Sequence, residues 1–311
     1  MKVVLPALAR QLLEPRLPTG LDITWVATRA EAAAAMVDAD IGWVDLYPHG
    51  LTQEAVAAAK RLRWLFTAIA GIESLDLAAL RAAGTIVTNG AGINAIAVAE
   101  YAVMGVLVAA KRYDEVVRIA DRREWPDAAP GRQELFETRA LIVGYGAIGR
   151  LIGERLAAFG VDVTGVTRSG RDGTLTPDAW KSRLAEFDWV ILAAPSTEDT
   201  KATIGTAEFD SMKSSAWLVN IARGDMVDQE ALITALDRKT IAGAFLDTVA
   251  PEPLPSDDPL WTAPNAVHSM HLAGRSQTRM FARAAELFLR NLMKFRSRHP
   301  MENVVDLDAG Y

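Results

Sequence analysis

The chain has 311 residues, half of them hydrophobic and 23% charged. These are the proportions of a globular protein long enough for two domains with separate cores and too polar for a membrane bundle. Its 33 basic and 39 acidic residues leave a net charge of -6. That balance opposes general attraction to nucleic acid or an anionic membrane, so an anionic ligand must be met by locally placed arginines or backbone N–H groups.

The first residues, Met1 to Pro6, form a short apolar run that meets Gln11, Glu14 and Arg16 before a signal peptide or a spanning helix could form, so a cytoplasmic address is the expectation. Zero cysteines exclude disulfides, thiolate nucleophiles and Cys-based metal sites, and with four histidines no metal site is expected. Short β-rich runs at Val3 to Leu5, Ile23 to Ala27, Ile41 to Leu46, Trp64 to Ile69 and Thr85 to Thr88 alternate with Ala-rich helical stretches. This pattern predicts a βα lobe with a parallel sheet. Asn94 to Lys111 reads as a long apolar helix connecting two domains, with Ala102 to Ala110 as core and Lys-Arg at its end. After a polar stretch from Arg122 to Gly131, in which Trp125 reads as a linker anchor or a subunit contact, alternation resumes. Strands are predicted at 140–143, 161–166, 189–193, 216–220 and 242–247. A last helix, Gln277 to Lys294, is expected to return to the first lobe.

Gly144, Gly146 and Gly149 stand in GxGxxG spacing directly after an apolar strand and at the opening of an amphipathic helix. That context gives the spacing a mechanism: a tight turn at Gly144, backbone approach to a pyrophosphate at Gly146 and close helix–strand packing at Gly149. The intervening Tyr145, Ala147 and Ile148 belong to the same cofactor-binding turn. At the end of the next strand an NAD enzyme shows Asp or Glu for the ribose hydroxyls, whereas this sequence has Thr167-Arg168-Ser169-Gly170-Arg171. Arg168 and Arg171 suit a 2′-phosphate through charge-assisted bonds, with Thr167 and Ser169 adding hydroxyls, so NADP is the expected cofactor, with NAD the second choice.

Further motifs follow in order: Ala70-Gly71-Ile72, Val98-Ala-Glu-Tyr101, Ala194-Pro-Ser-Thr197 with Thr200, Asn220-Ile-Ala-Arg-Gly-Asp225, Leu246-Asp-Thr-Val-Ala-Pro-Glu-Pro253, His271-Leu-Ala-Gly274, and a tail from Asn303 to Tyr311. With the glycine loop, they make the chain resemble the D-isomer-specific 2-hydroxyacid dehydrogenase family, and its glyoxylate/hydroxypyruvate reductases in particular, nearly end to end. The resemblance implies an α/β fold of two doubly wound parallel-sheet lobes. A Rossmann cofactor domain (94–272) is then inserted in a discontinuous flavodoxin-like substrate domain (1–93 and 273–311). It implies Arg223, Glu252 and His271 as catalytic residues. Reducing a 2-oxo acid requires a cation for the carboxylate and carbonyl, a proton donor for the developing alkoxide, and a group keeping that donor protonated and oriented. Arg223, His271 and Glu252 are of those types. It further implies Ala194, Pro195, Thr200, Ile221, Ala222 and Asp247 as cofactor contacts, and Ala70, Gly71 and Ile72, with Arg223 and His271, as substrate contacts. A homodimer through the cofactor domain is implied too.

Two departures stand out. The family usually has Thr-Pro before the matched histidine, where this chain has Ser269-Met270 preceded by His268, which reads as a packing or strand-end residue. His49, in the Tyr47-to-Gly50 loop, reads as a surface-loop residue or a substrate contact. Formate and phosphite dehydrogenases share the superfamily, but Glu252 stands where the formate enzymes resemble this pattern with Gln. The remaining alternatives are another D-2-hydroxyacid dehydrogenase using NAD, and a corepressor-like scaffold that binds dinucleotide and protein partners; the compact chain shows no extra arm for such partners.

Overall fold

Nearly continuous apolar runs become buried parallel strands in both halves of the chain, as sheets covered on two faces require. The structure is a computed structural model and describes residues 1–46, 50–72, 74–275 and 277–307. It divides into two units, Met1–Asn94 with Gln277–Tyr311, and Ala95–Ser276. The sequence motifs place these boundaries at 93/94 and 272/273. The Tyr47–His49 segment and the final residues Gly310 and Tyr311 lie outside the described residues.

The first unit carries β1 (Lys2–Pro6), β2 (Asp22–Val26), β3 (Ile41–Trp43), β4 (Asp45–Leu46), β5 (Gly50–Leu51), β6 (Trp64–Phe66) and β7 (Ile86–Thr88). Its main sheet has the order β2-β1-β3-β6-β7, all parallel, while β4 and β5 form a small antiparallel pair. One sheet face is covered by the helix Met280–Ser297, which buries Ala284, Phe288 and Leu292 among Trp43, Trp64 and Phe66. The Trp64 and Phe288 rings stack at 5.1 Å, and Trp43 meets Phe66 edge-on at 4.8 Å. Such pairs add about 0.5–1.5 kcal/mol beyond the burial of the rings. The tail then joins this sheet: Val304 bridges Thr88 antiparallel, and the Asn303 amide donates to the Ala91 carbonyl at 2.8 Å.

The second unit carries β8 (Arg139–Val143), β9 (Asp162–Val166), β10 (Trp189–Leu192), β11 (Trp217–Asn220), β12 (Gly243–Leu246) and β13 (Ala266–His268). They form one parallel sheet in the order β13-β12-β11-β10-β8-β9. The strand order reverses at β8, between β9 on one side and β10 on the other, which makes the carboxyl ends of β8 and β10 a topological switch point. The helix Ala95–Lys111 packs here: Val98, Ala99, Ala102, Val106 and Ala109 are buried against Ile142, Ile191 and Phe245. The helix read as a connector is therefore a core helix of the second unit. It ends at Arg112, whose left-handed backbone (φ 48°) turns the chain into a second helix, Tyr113–Asp121, that the sequence reading did not contain. Trp125, beyond it, is 96% exposed and is not a buried anchor of the linker. Among the described residues no helix is long and apolar enough to cross a membrane.

Candidate active site

All six strands of the second unit run in one direction, so the loops after their carboxyl ends share one edge of the sheet. The predicted cofactor and catalytic residues of this unit sit in those loops.

After β8, Gly144 has φ +98°, and a Cβ there would lie 2.4 Å from the Ala194 N at the end of β10. The turn is thus pressed against the neighbouring strand at the switch point, and only glycine fits. A Cβ on Gly149 would lie 2.2 Å from the Gly144 carbonyl oxygen, which explains the close helix–strand packing, whereas one on Gly146 would meet nothing within 4 Å. The helix Ala147–Ala157 opens on Gly146 with no side chain capping its N–H groups. A tight turn, open space over the middle glycine and uncapped donors at a helix N-terminus fit a dinucleotide pyrophosphate. Ala147 and Ile148 begin that helix. Tyr145 turns the other way: its ring fills the room left by Gly153 and Gly165, where a Cβ would lie 2.5 and 2.4 Å from it, so only its backbone belongs to the turn.

After β9, Thr167 is half-buried, and Arg168, Ser169 and Arg171 are exposed. The loop is tied to itself: the Gly170 N–H donates to Thr167 Oγ1 at 3.1 Å and Arg171 Nε to Ser169 Oγ at 3.1 Å. Its one acid, Asp172, lies 3.6 Å from Arg150 Nη2. After β10, Ala194 and Pro195 lead into a turn that Thr200 closes by donating to the Pro195 carbonyl at 2.9 Å. Ile221 and Ala222, after β11, are buried.

Arg223 follows them. The buried Asn220 shapes its loop, with Nδ2 donating to the Arg223 carbonyl at 2.9 Å and Oδ1 accepting from the Ala222 N–H at 3.0 Å. Arg223 Nη1 donates to the Ala222 carbonyl at 2.8 Å. Next to it, a Cβ on Gly224 would lie 1.9 Å from the Val249 carbonyl carbon. The loop bearing Arg223 therefore touches, backbone to backbone, the β12 loop that carries Glu252.

Glu252 and His271 meet directly, Oε2 to Nδ1, at 2.6 Å. The histidine is held by an unusual backbone, with Met270 at φ 51° and His271 at φ 54°. Proline, fixed near φ -65°, cannot take the Met270 conformation, so Ser269-Met270 marks a loop shape that Thr-Pro would not allow. Asp247, 2% exposed, pins that loop. Its Oδ1 accepts from Ser269 Oγ at 2.7 Å and from the Leu272 and Ala273 N–H groups at 2.9 and 3.2 Å, while its carbonyl accepts from the His271 N–H at 2.6 Å. The Asp247 side chain, expected as a cofactor contact, thus also holds the loop that bears His271. His268 ends β13, bonds the Leu260 carbonyl through Nε2 at 3.0 Å, and burial pushes its imidazole below the ordinary range. A cavity of about 360 Å³ is lined by Glu252, Trp261, His268, Met270, His271 and Arg275.

In the first unit, Ala70 and Gly71 lie on the turn after β6, and Ile72 is buried beneath it. Among the described residues the N–H groups of all three have no acceptor, while Asn89 Nδ2 donates to the Ala70 carbonyl at 2.8 Å. Among the described residues no group of three or more His, Cys, Asp and Glu side chains is arranged to hold a metal. The sequence reading missed Gly224 as a contact, Ser269 as a clamp and the buried Asp45. The signal for Asp45 was an acid inside the apolar run Ile41 to Leu46.

The glycine turn at a switch point and the shared edge of the sheet define a dinucleotide-binding α/β unit. Comparison with known proteins narrows the class. Residues 103–273 match the family described as D-isomer specific 2-hydroxyacid dehydrogenase, NAD binding domain. A glyoxylate reductase of Korarchaeum cryptofilum is 32% identical over 276 residues, 86% of this chain and 82% of that one. Glyoxylate/hydroxypyruvate reductase B of Pectobacterium carotovorum is 31% identical over 258 residues, 80% of each. The crystal structure of a D-isomer specific 2-hydroxyacid dehydrogenase family protein from Aeromonas salmonicida superposes with a TM-score of 0.88 at 28% identity, covering 99% of both chains. The chain belongs to the D-isomer-specific 2-hydroxyacid dehydrogenase family, and is an NAD(P)-dependent oxidoreductase.

Proposed function

We propose that this enzyme reduces a small 2-oxo acid of the glyoxylate and hydroxypyruvate class to the D-2-hydroxy acid with NADPH. The observation that carries the reading is the 2.6 Å contact of His271 Nδ1 with Glu252 Oε2, on the sheet edge that also bears the glycine turn. A bound nicotinamide dinucleotide supplies the hydride. Because Glu252 engages Nδ1, His271 delivers its proton from Nε2 to the carbonyl oxygen as that oxygen gains charge, and the carboxylate stabilises the orientation needed for this. Arg223 binds the substrate carboxylate and polarises the adjacent carbonyl. The N–H groups of Ala70, Gly71 and Ile72, on the first unit, are further donors for the substrate carboxylate.

The preference for NADPH rests on the exposed Arg168 and Arg171 and on the absence of an acid at position 167. The protein works in the cytoplasm as a homodimer. Support for dimerisation is the set of exposed apolar side chains on the cofactor unit, Met104, Tyr113, Trp125 and Phe159. The testing experiment mixes the enzyme and NADPH with glyoxylate, hydroxypyruvate, pyruvate, phenylpyruvate or oxaloacetate and analyses the product's configuration. Fastest turnover on glyoxylate or hydroxypyruvate, with D product where a stereocentre forms, is the expected result. No turnover on any of the five, or L product, would overturn it.

A further inference from the structure

The first unit contains a carboxylate that the proposed chemistry does not use. Asp45 is buried, and its carboxylate accepts three hydrogen bonds, from Trp43 Nε1 at 2.9 Å, Thr67 Oγ1 at 2.9 Å and the Ala68 N–H at 2.5 Å. Burial pushes its carboxyl up to about 6, against the pull of those three donors. A carboxylate withdrawn from water is costly to keep, and the cost is tolerated where it fixes a geometry that an apolar residue would not.

What it fixes is the approach to the Ala70-Gly71-Ile72 turn. Thr67 and Ala68 are the first two residues after β6, and Thr67 Oγ1 also accepts from the Ile69 N–H at 3.2 Å. From the other side, the Gly90 N–H donates to the Ile69 carbonyl at 2.9 Å and Asn89 Nδ2 to the Ala70 carbonyl at 2.8 Å. A Cβ on Gly90 would lie 1.9 Å from the Ala68 carbonyl oxygen, so the two segments are in backbone contact. Every residue from Thr67 to Ala70 is thus tied down by a named bond. The N–H groups of Ala70, Gly71 and Ile72 are the ones without an acceptor among the described residues. A rigid frame ending in unspent donors is a preorganised anion site.

We propose that Asp45, acting through Thr67 and Ala68, is a positioning residue that holds the Ala70-Gly71-Ile72 turn in its substrate-binding form and so sets the affinity for the 2-oxo acid. The inference rests on the proposed function, in which that turn takes the substrate carboxylate.

The experiment compares wild type with Asp45→Asn, Thr67→Val and Thr67→Ser, each first checked for cooperative unfolding. It reads KM for the oxo acid, kcat and the Kd for NADPH. Asp45→Asn replaces one acceptor oxygen by a donor, and Thr67→Val removes the hydroxyl that links the carboxylate to Ile69. Each is expected to raise KM about tenfold, the equivalent of one hydrogen bond at about 1.4 kcal/mol, while kcat and Kd stay within about twofold. Thr67→Ser keeps the hydroxyl and is expected to restore the wild-type KM. Unchanged KM in folded Asp45→Asn and Thr67→Val overturns the inference alone. So does a parallel fall of kcat and NADPH affinity, which would mark Asp45 as merely structural. A wild type that turns over no oxo acid overturns the proposed function first, and this inference with it.

Discussion

Replacing Asp247 by alanine removes, in one step, the side-chain acceptor of the Ser269 hydroxyl and of the Leu272 and Ala273 N–H groups, of which the Leu272 N–H keeps the Ser269 carbonyl at 3.2 Å. Hydrogen bonds to a charged acceptor contribute about 1.5–3 kcal/mol each, and a buried donor left unpaired costs about 1–3 kcal/mol. The three bonds share one carboxylate and do not add, so a loss of about 4 kcal/mol is expected for Asp247→Ala. Asp247→Asn is milder: its oxygen can serve the three donors of Oδ1, and its amide replaces Oδ2, whose one partner among the described residues is the Ala273 N–H at 3.3 Å. A loss of about 1–2 kcal/mol is expected. Denaturant unfolding at neutral pH measures both losses. Because the His271 N–H is bonded to the carbonyl of this residue, slackening of the loop should lower kcat of Asp247→Asn by about tenfold and leave the Kd for NADPH nearly unchanged. A loss below about 1 kcal/mol for Asp247→Ala would refute the reasoning. So would a larger effect of Asp247→Asn on NADPH binding than on kcat, which would return the residue to cofactor contact.

Three further outcomes are expected. Gly224→Ala forces a Cβ into the Val249 backbone and separates the Arg223 loop from the Glu252 loop; it should cost about 2–4 kcal/mol of stability and most of kcat, and wild-type kinetics would contradict the contact. His271→Ala should reduce kcat by about a hundredfold or more with the Kd for NADPH within about twofold, since general acid catalysis contributes about 10²–10⁴; titrating NADPH into the variant and following single turnovers checks both. For pH, the folded carboxyl of Asp45 stands at about 6 against an ordinary 3.8. Its stability contribution is therefore full below the unfolded value and is lost as pH rises through about 6, an amount of about 3 kcal/mol. Asp45→Asn has no such group, so its unfolding free energy should rise relative to wild type between about pH 4 and 6 and then run level. A constant difference across that range would show that Asp45 does not titrate there.

Much of the fold was legible because parallel strands buried on both faces are written as apolar runs, and the ten strands read from such runs all have observed counterparts. The glycine turn was legible for a different reason: close backbone approaches at Gly144 and Gly149 admit one residue type only. β13 escaped because Ala266–His268 is a short, half-buried edge strand with no apolar run to announce it. Tyr113–Asp121 escaped because its start is set by the left-handed backbone of Arg112, which no composition signals. At the site, sequence motifs named Glu252 and His271, but not that Asp247 faces inward to the histidine loop. Nor could they show that Met270 lies at φ 51°. Both depend on how the ends of β12 and β13 come together, which residue types alone do not encode.

The central claim is hydride transfer from NADPH, in preference to NADH, to a 2-oxo acid. It is tested most directly by following oxidation of each dinucleotide with glyoxylate, for wild type and for the Arg168→Ala, Arg171→Ala double variant. The account predicts turnover with a clear NADPH preference in wild type. In the double variant, loss of charge-assisted contacts of about 1.5–3 kcal/mol should weaken NADPH by about ten- to a hundredfold and leave NADH nearly untouched. Equal use of the two dinucleotides by wild type, or an equal loss of both in the variant, would contradict it.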